Sequence, residues 1–150
     1  MSRRPHRLAT EFATPQASPG FLLWRVTNRW QAAQRAALRP LGLTHVQFVL
    51  LASLSWLDST GPVSQRELAT HAATDQMMTS QVVRALEAKA LVVRAPHPVD
   101  GRARALTLTP AGRELADAAV VVVEACDRDF FAALGTREAA FTRALALLER

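Results

Sequence analysis

The stretch SQRELATHAATDQMMTSQVVRALEAKALVVRAPHPVDGRARALTL (64–108) changes its period partway along, and that change decides the fold. Ser64 and Glu67 have capping-box spacing, which opens a short helix running to about His71. Ala72–Thr74 is a tight connection, and a second helix follows from about Asp75 to Lys89. Thr79, Val82, Val83 and Leu86 recur at three- and four-residue steps and form its inward stripe. Gln76, Met77, Ser80, Gln81, Arg84 and Glu87 make the other face. The period then drops to two. Leu91–Ala95 is short and β-branched, Pro96–Gly101 is a turn, and Arg102–Leu108 alternates as a strand does. Two short helices and a basic hairpin, in that order, form a winged helix-turn-helix, the second helix being the one shaped to enter a major groove.

Outward from this block the chain reads as helix. Ser18-Pro19 is an N-cap and first-turn pair, followed by a stripe of Leu23, Val26, Trp30, Ala33 and Ala37, with Arg25, Gln31, Gln34 and Arg35 mainly off it. Pro40 and Gly42 end that helix. Thr44 and Gln47 form a second capping box, and the helix they open is apolar almost all round, from Val46 to Leu57 with Trp56 included, as a central core helix would be. Thr109-Pro110 starts a long helix to about Leu134; Gly135 stops it, and Thr136 caps a last one. The expected fold is mainly α with a small β-hairpin wing. Residues 1–17 form a flexible N-terminal arm and 18–150 a single domain.

Composition agrees with a compact chain. It has 150 residues, 49% hydrophobic and 21% charged, enough to bury a core without disulfides or metal. The longest nearly apolar run, Phe48–Leu57, is too short to span a bilayer, no secretory signal is visible, and the one cysteine excludes an internal disulfide framework, so a cytoplasmic home and no membrane partner are expected. Net charge is +5, and residues 1–40 carry seven Arg against Glu11 alone. That balance suits a polyanionic partner. The four histidines lack metal-ligand spacing, and no activated-nucleophile, Walker or dinucleotide motif occurs, so neither metal, cofactor nor enzymatic activity is expected.

LTHVQFVLL (43–51), LATHAATDQMMTSQVVRALEAKALVVR (68–94) and VDGRARALTLTPAGREL (99–115) together resemble the MarR family of bacterial transcription regulators. The third segment is the most specific, because strand, D-x-R tip (Asp100, Arg102) and L-T-P-x-G helix start arrive together. The resemblance covers about residues 20–150. It implies a homodimer on double-stranded DNA, with 18–42 and 110–150 as dimerisation helices and 43–109 as the winged DNA-binding lobe. Gln76, Met77, Ser80, Gln81 and Arg84 would face the major groove; Arg102, positioned by Asp100, would enter the minor groove. Arg94 and Arg104 would contact phosphates, with Ser64 and Gln65 as backbone contacts at a helix start. The chain departs from the family at Ala73 and Ala90, where glycine is usual. Either alanine accepts a left-handed backbone there or the turns differ.

The family often holds a small aromatic acid between dimer platform and winged lobe. Trp24, Trp30, His45, Phe48 and Trp56 are the aromatic and imidazole candidates for such a pocket, with Arg25 or Arg29 to pair a carboxylate. The other reading makes these aromatics core and the arginines surface or dimer contacts. Cys126 lies among apolar residues with Glu124, Asp127 and Asp129 close in sequence, which suits a buried inert thiol better than a reactive thiolate. Two alternatives to a DNA-binding repressor remain open from sequence: a winged-helix protein-interaction module, and a redox sensor working through Cys126.

Overall fold

The computed structural model describes residues 8–102 and 104–149. The first seven residues of the expected arm, His6 among them, lie outside that range. From Pro15 to Ala17 the chain makes one 3-10 turn, and six helices then follow: α1 (Pro19–Leu38), α2 (His45–Asp58), α3 (Gln65–Ala72), α4 (Gln76–Ala88), α5 (Pro110–Phe131) and α6 (Glu138–Leu148). Three strands, β1 (Val63–Ser64), β2 (Val92–Pro96) and β3 (Arg104–Leu108), form an antiparallel sheet in the order β1-β3-β2.

The helix starts follow local chemistry. The Ser18 hydroxyl accepts from the Phe21 amide and Thr109 Oγ1 from the Gly112 amide, each ahead of a proline in the first turn. Thr44/Gln47 and Ser64/Glu67 both close complete capping boxes. The last helix differs from expectation: a 3-10 segment intervenes after Phe131, Gly135 turns at φ 54, and α6 has Arg137, without a side-chain cap, where Thr136 was expected to serve. β1 was not anticipated. Its two residues pair with Ala105 and Leu106 of β3, so it exists only once the wing is folded.

The core lies between α2, α4, α5 and the sheet. Leu50, Leu51, Leu54, Leu68, Val83, Leu86 and Leu106 are essentially inaccessible. Two sequence expectations need correction. Trp56 stands out from α2 at 76% exposure, so that helix is not buried all round. On α1 the first part of the stripe is uncovered (Leu23 and Val26 are exposed) and Trp30, Ala33 and Ala37 are half-buried, whereas Gln34, placed off the stripe, is fully buried. The cause is a partner 93 residues away: Gln34 Nε2 and Trp30 Nε1 both donate to Asp127 Oδ1 of α5, at 2.6 and 2.8 Å. Gln34 Oε1 is buried without a partner.

One close approach fixes α5 against the lobe. A Cβ on Gly112 would lie 2.0 Å from the Leu91 carbonyl oxygen. Thr109 donates from its hydroxyl to the Ala90 carbonyl and from its amide to that of Leu91. The T-P-x-G block is therefore a docking device: threonine caps, proline starts the helix, and glycine lets its first turn touch the end of the α4–β2 connection.

Candidate nucleic-acid interface

The second helix of the pair, α4, is held from beneath. Asp75 accepts from the Met78 amide as N-cap, and Thr79, fully buried, donates its hydroxyl to the Asp75 carbonyl while accepting from Thr74. Sequence reading placed Thr79 on the buried stripe without this lock. Thr79, Val83 and Leu86 face the core. Gln76, Met77, Gln81 and Arg84 are exposed on the opposite side, with Ser80 half-buried beside them. Met77 is 74% exposed, an apolar contact surface amid hydrogen-bonding side chains.

Both junctions where the resemblance leads one to expect glycine hold a left-handed backbone. Ala73 lies at φ 53 and Ala90 at φ 57. Thr74 N donates to Ala69 O and Leu91 N to Leu86 O, so each closes its helix with a six-to-one bond. Both turns thus take the left-handed form at a conformational cost. At the far end of α4, Lys89 Nζ donates to the Gly42 carbonyl (2.7 Å) and Gln47 Oε1 (3.2 Å), tying the helix to the start of α2.

The remaining candidates are placed differently from one another. Arg102 and Arg104 are exposed at the wing. Asp100 positions Arg102 through the backbone, its Oδ1 accepting the Arg102 amide at 3.1 Å. Arg94 is half-buried and paired with Glu87 of α4 at 2.7 Å, which braces the wing against the helix. The Ser64 hydroxyl accepts from Glu67 N, leaving its own proton to donate outward. Gln65 is half-buried, with Oε1 enclosed and unpartnered.

The seven pocket candidates do not gather round one cavity. Trp24 is 67% exposed, Arg25 and Arg29 lie on the surface of α1, and Phe48 belongs to the core. His45 meets the Trp30 ring edge-on at 4.9 Å. Burial lowers the His45 pKa below the usual imidazole value, the Asp127 carboxylate opposing that shift and Arg35 adding to it. Hollows lie between α1 and α5 (Ala33, Ala37, Val122, Cys126, Phe130) and between α2 and α5 (Ala52, Trp56, Ala116, Val120); Trp56 lines the second, and the other six candidates line neither. Burial first, then Asp127 and Asp129, raise the Cys126 thiol above its ordinary value, the reverse of what a reactive thiolate needs. Among the described residues no cluster of three or more His, Cys, Asp or Glu could hold a metal ion, and no single helix is long and apolar enough to cross a membrane.

A capped helix pair, an exposed polar face on its second helix and an arginine-bearing wing beside it define a winged helix-turn-helix transcription regulator. The family model for MarR matches residues 43–103. An uncharacterised HTH-type transcriptional regulator of Bacillus subtilis, YdcH, is 45% identical over 130 residues, covering 86% of this chain and 88% of its own. The chain belongs to the MarR family. The Mycobacterium tuberculosis repressor Rv2887 is 42% identical over 115 residues, or 77% of this chain and 81% of that one. Its structure in complex with DNA superposes with a TM-score of 0.70, covering 89% of this chain and 99% of that chain at 37% identity. Bordetella bronchiseptica BpsR, described with 6-hydroxynicotinic acid regulating its DNA binding, superposes at 0.81 with 28% identity, covering 88% and 93%.

Proposed function

We propose that the chain is a homodimeric, ligand-responsive repressor that binds an inverted repeat in the cytoplasm, acting as a regulator and not as an enzyme. The observation that carries this is the face of α4: Gln76, Met77, Gln81 and Arg84 exposed together, and Arg102 and Arg104 exposed at the wing. Gln and Arg pair with base edges in a major groove, and arginine fits the negative potential of a minor groove. Residues 43–109 serve as the DNA-binding lobe, and 18–42 with 110–150 as the dimerisation platform. Support for the platform is the apolar surface that one chain leaves on α1 and α6, where Leu23, Leu145 and Leu148 border a shared hollow. Small aromatic acids are the effector class: BpsR responds to one, and Rv2887 has been solved with salicylic and p-aminosalicylic acids. Trp24, Arg25 and Arg29 form an exposed aromatic and cationic surface on α1 that suits such an anion, Arg25 already lying 5.9 Å above the Phe21 ring.

The test is titration of the pure protein on the intergenic DNA upstream of its own gene, against non-specific duplex at physiological salt. Half-sites should lie about one helical turn apart. Gln81→Ala should lose about 1–3 kcal/mol on the operator and relax one base position. Arg102→Ala should weaken operator and non-specific DNA alike and reduce the salt dependence. Equal losses for the two variants on both DNAs would misplace the reading face, and a wild type without operator preference would favour the protein-interaction module.

A further inference from the structure

The wing tip is built around a histidine that no DNA-contact argument uses. His97 sits between Pro96 and Pro98. A residue before proline is held extended, and Pro98 has no N–H to offer, so the first free amides downstream are those of Val99 and Asp100. Both donate to His97 Nδ1, at 3.2 and 3.1 Å. Asp100 passes the order on, its Oδ1 accepting the Arg102 amide. The relay therefore runs from an imidazole nitrogen through two backbone amides and one carboxylate to the arginine at the tip.

We propose that His97 is a positioning residue for DNA binding, whose Nδ1 folds the wing tip and thereby sets the direction of Arg102. An Nδ1 that accepts two N–H groups carries no proton, so the neutral ring bears its proton on Nε2. The brace thus uses one nitrogen and leaves the other as a donor, and the two roles can be separated by substitution. In asparagine, Oδ1 falls close to the place of Nδ1 and accepts from amides two and three residues on, as turn-forming Asn side chains do. In glutamine the amide extends to the place of Nε2 and does not reach back. Alanine removes both.

This inference rests on reading the wing as a DNA-contacting element. The experiment compares His97→Asn, His97→Gln and His97→Ala with wild type by two measurements: affinity for labelled upstream duplex, and amide exchange at Val99 and Asp100 without DNA. His97→Gln and His97→Ala should weaken operator binding by about three- to tenfold, the worth of one to two modest hydrogen bonds, and should speed exchange at both amides. His97→Asn should stay within about twofold of wild type and keep both amides protected. Thermal unfolding should not separate the variants, because the tip lies outside the core. If glutamine preserves affinity and asparagine does not, Nε2 contacts DNA directly and the brace is overturned. Equal loss, or no loss, in all three variants overturns it as well. A wild type that binds no DNA instead sinks the regulator reading and the DNA half of this proposal; exchange at the two amides still decides whether the brace exists.

Discussion

Two alanines at positive φ and one half-buried histidine carry the most informative energetics. Ala73 and Ala90 hold backbone angles that an L side chain adopts at about 1 kcal/mol each. The sequence showed that these positions were unusual, but alanine is silent about whether a turn bends or strains; the closing bonds Thr74 N to Ala69 O and Leu91 N to Leu86 O decide for strain. Ala90→Gly should therefore stabilise the chain by up to about 1 kcal/mol, with Ala73→Gly similar, less the greater unfolded-state entropy of glycine. Denaturant unfolding measures this, and a destabilised Ala90→Gly would contradict it. His45 gives a pH dependence. Burial lowers its folded pKa below the ordinary value of 6.5. The unfolded chain thus takes up the proton first, so stability is full above pH 6.5 and falls as pH drops from there toward the lower folded value. His45→Phe, which keeps an aromatic ring against Trp30, should lose less stability than wild type between about pH 7.5 and 5.5. An unchanged slope would mean that the imidazole is already free to protonate.

Among the elements, legibility followed range. Capping boxes, proline starts and the two periods of residues 64–108 are local signals, and the structure has them where the sequence reading put them. Strand β1 was not legible, because Val63 and Ser64 become a strand only by pairing with β3. The burial of Gln34 was not legible either, because it depends on Asp127, far along the chain on α5. The stripe of α1 is incomplete for a related reason: periodicity finds apolar residues but not whether the same chain covers them. Some long-range contacts do leave a local trace. Gly112, in the first turn of α5, makes sense only against Leu91, whose carbonyl oxygen would meet an added Cβ at 2.0 Å. Gly112→Ala should force α5 away from the α4–β2 connection and cost about 1–3 kcal/mol or more, as overpacking does. Chemical denaturation reads the loss. A neutral Gly112→Ala would show that the helix start can shift freely, and that the docking of the T-P-x-G block is not rigid.

At the scale of the whole molecule, the apolar surface of one chain supports the proposed dimer platform. Phe21, Leu22, Leu23, Trp24 and Val26 are all more than 40% exposed along the first turns of α1, and Leu145, Leu147 and Leu148 are exposed on α6. Within its own chain α6 has little support beyond Phe141, whose ring lies 5.8 Å from that of Phe131. Exposed apolar side chains clustered on neighbouring helices suit an interface. On the proposed platform, a two-fold dimer would close it by placing the same elements of a second copy on it, and would also space two copies of α4 for an inverted repeat. Affinity should then depend on the platform although the platform touches no base. Leu23→Asp together with Leu148→Asp puts charge on both sides of the shared hollow and should yield a monomer at micromolar concentration by sedimentation. The helical circular dichroism of the lobe should persist, because Leu50, Leu54, Leu86 and Leu106 are untouched. On DNA the effect should appear chiefly as a change of slope. If the dimer neutralises about 6–10 phosphates, log affinity falls with log salt at about 0.9 per phosphate, and a monomer should retain half that slope. A variant that stays dimeric would place the interface elsewhere. A monomer with undiminished slope and affinity would show that each lobe binds alone, and that the inverted repeat is not the target.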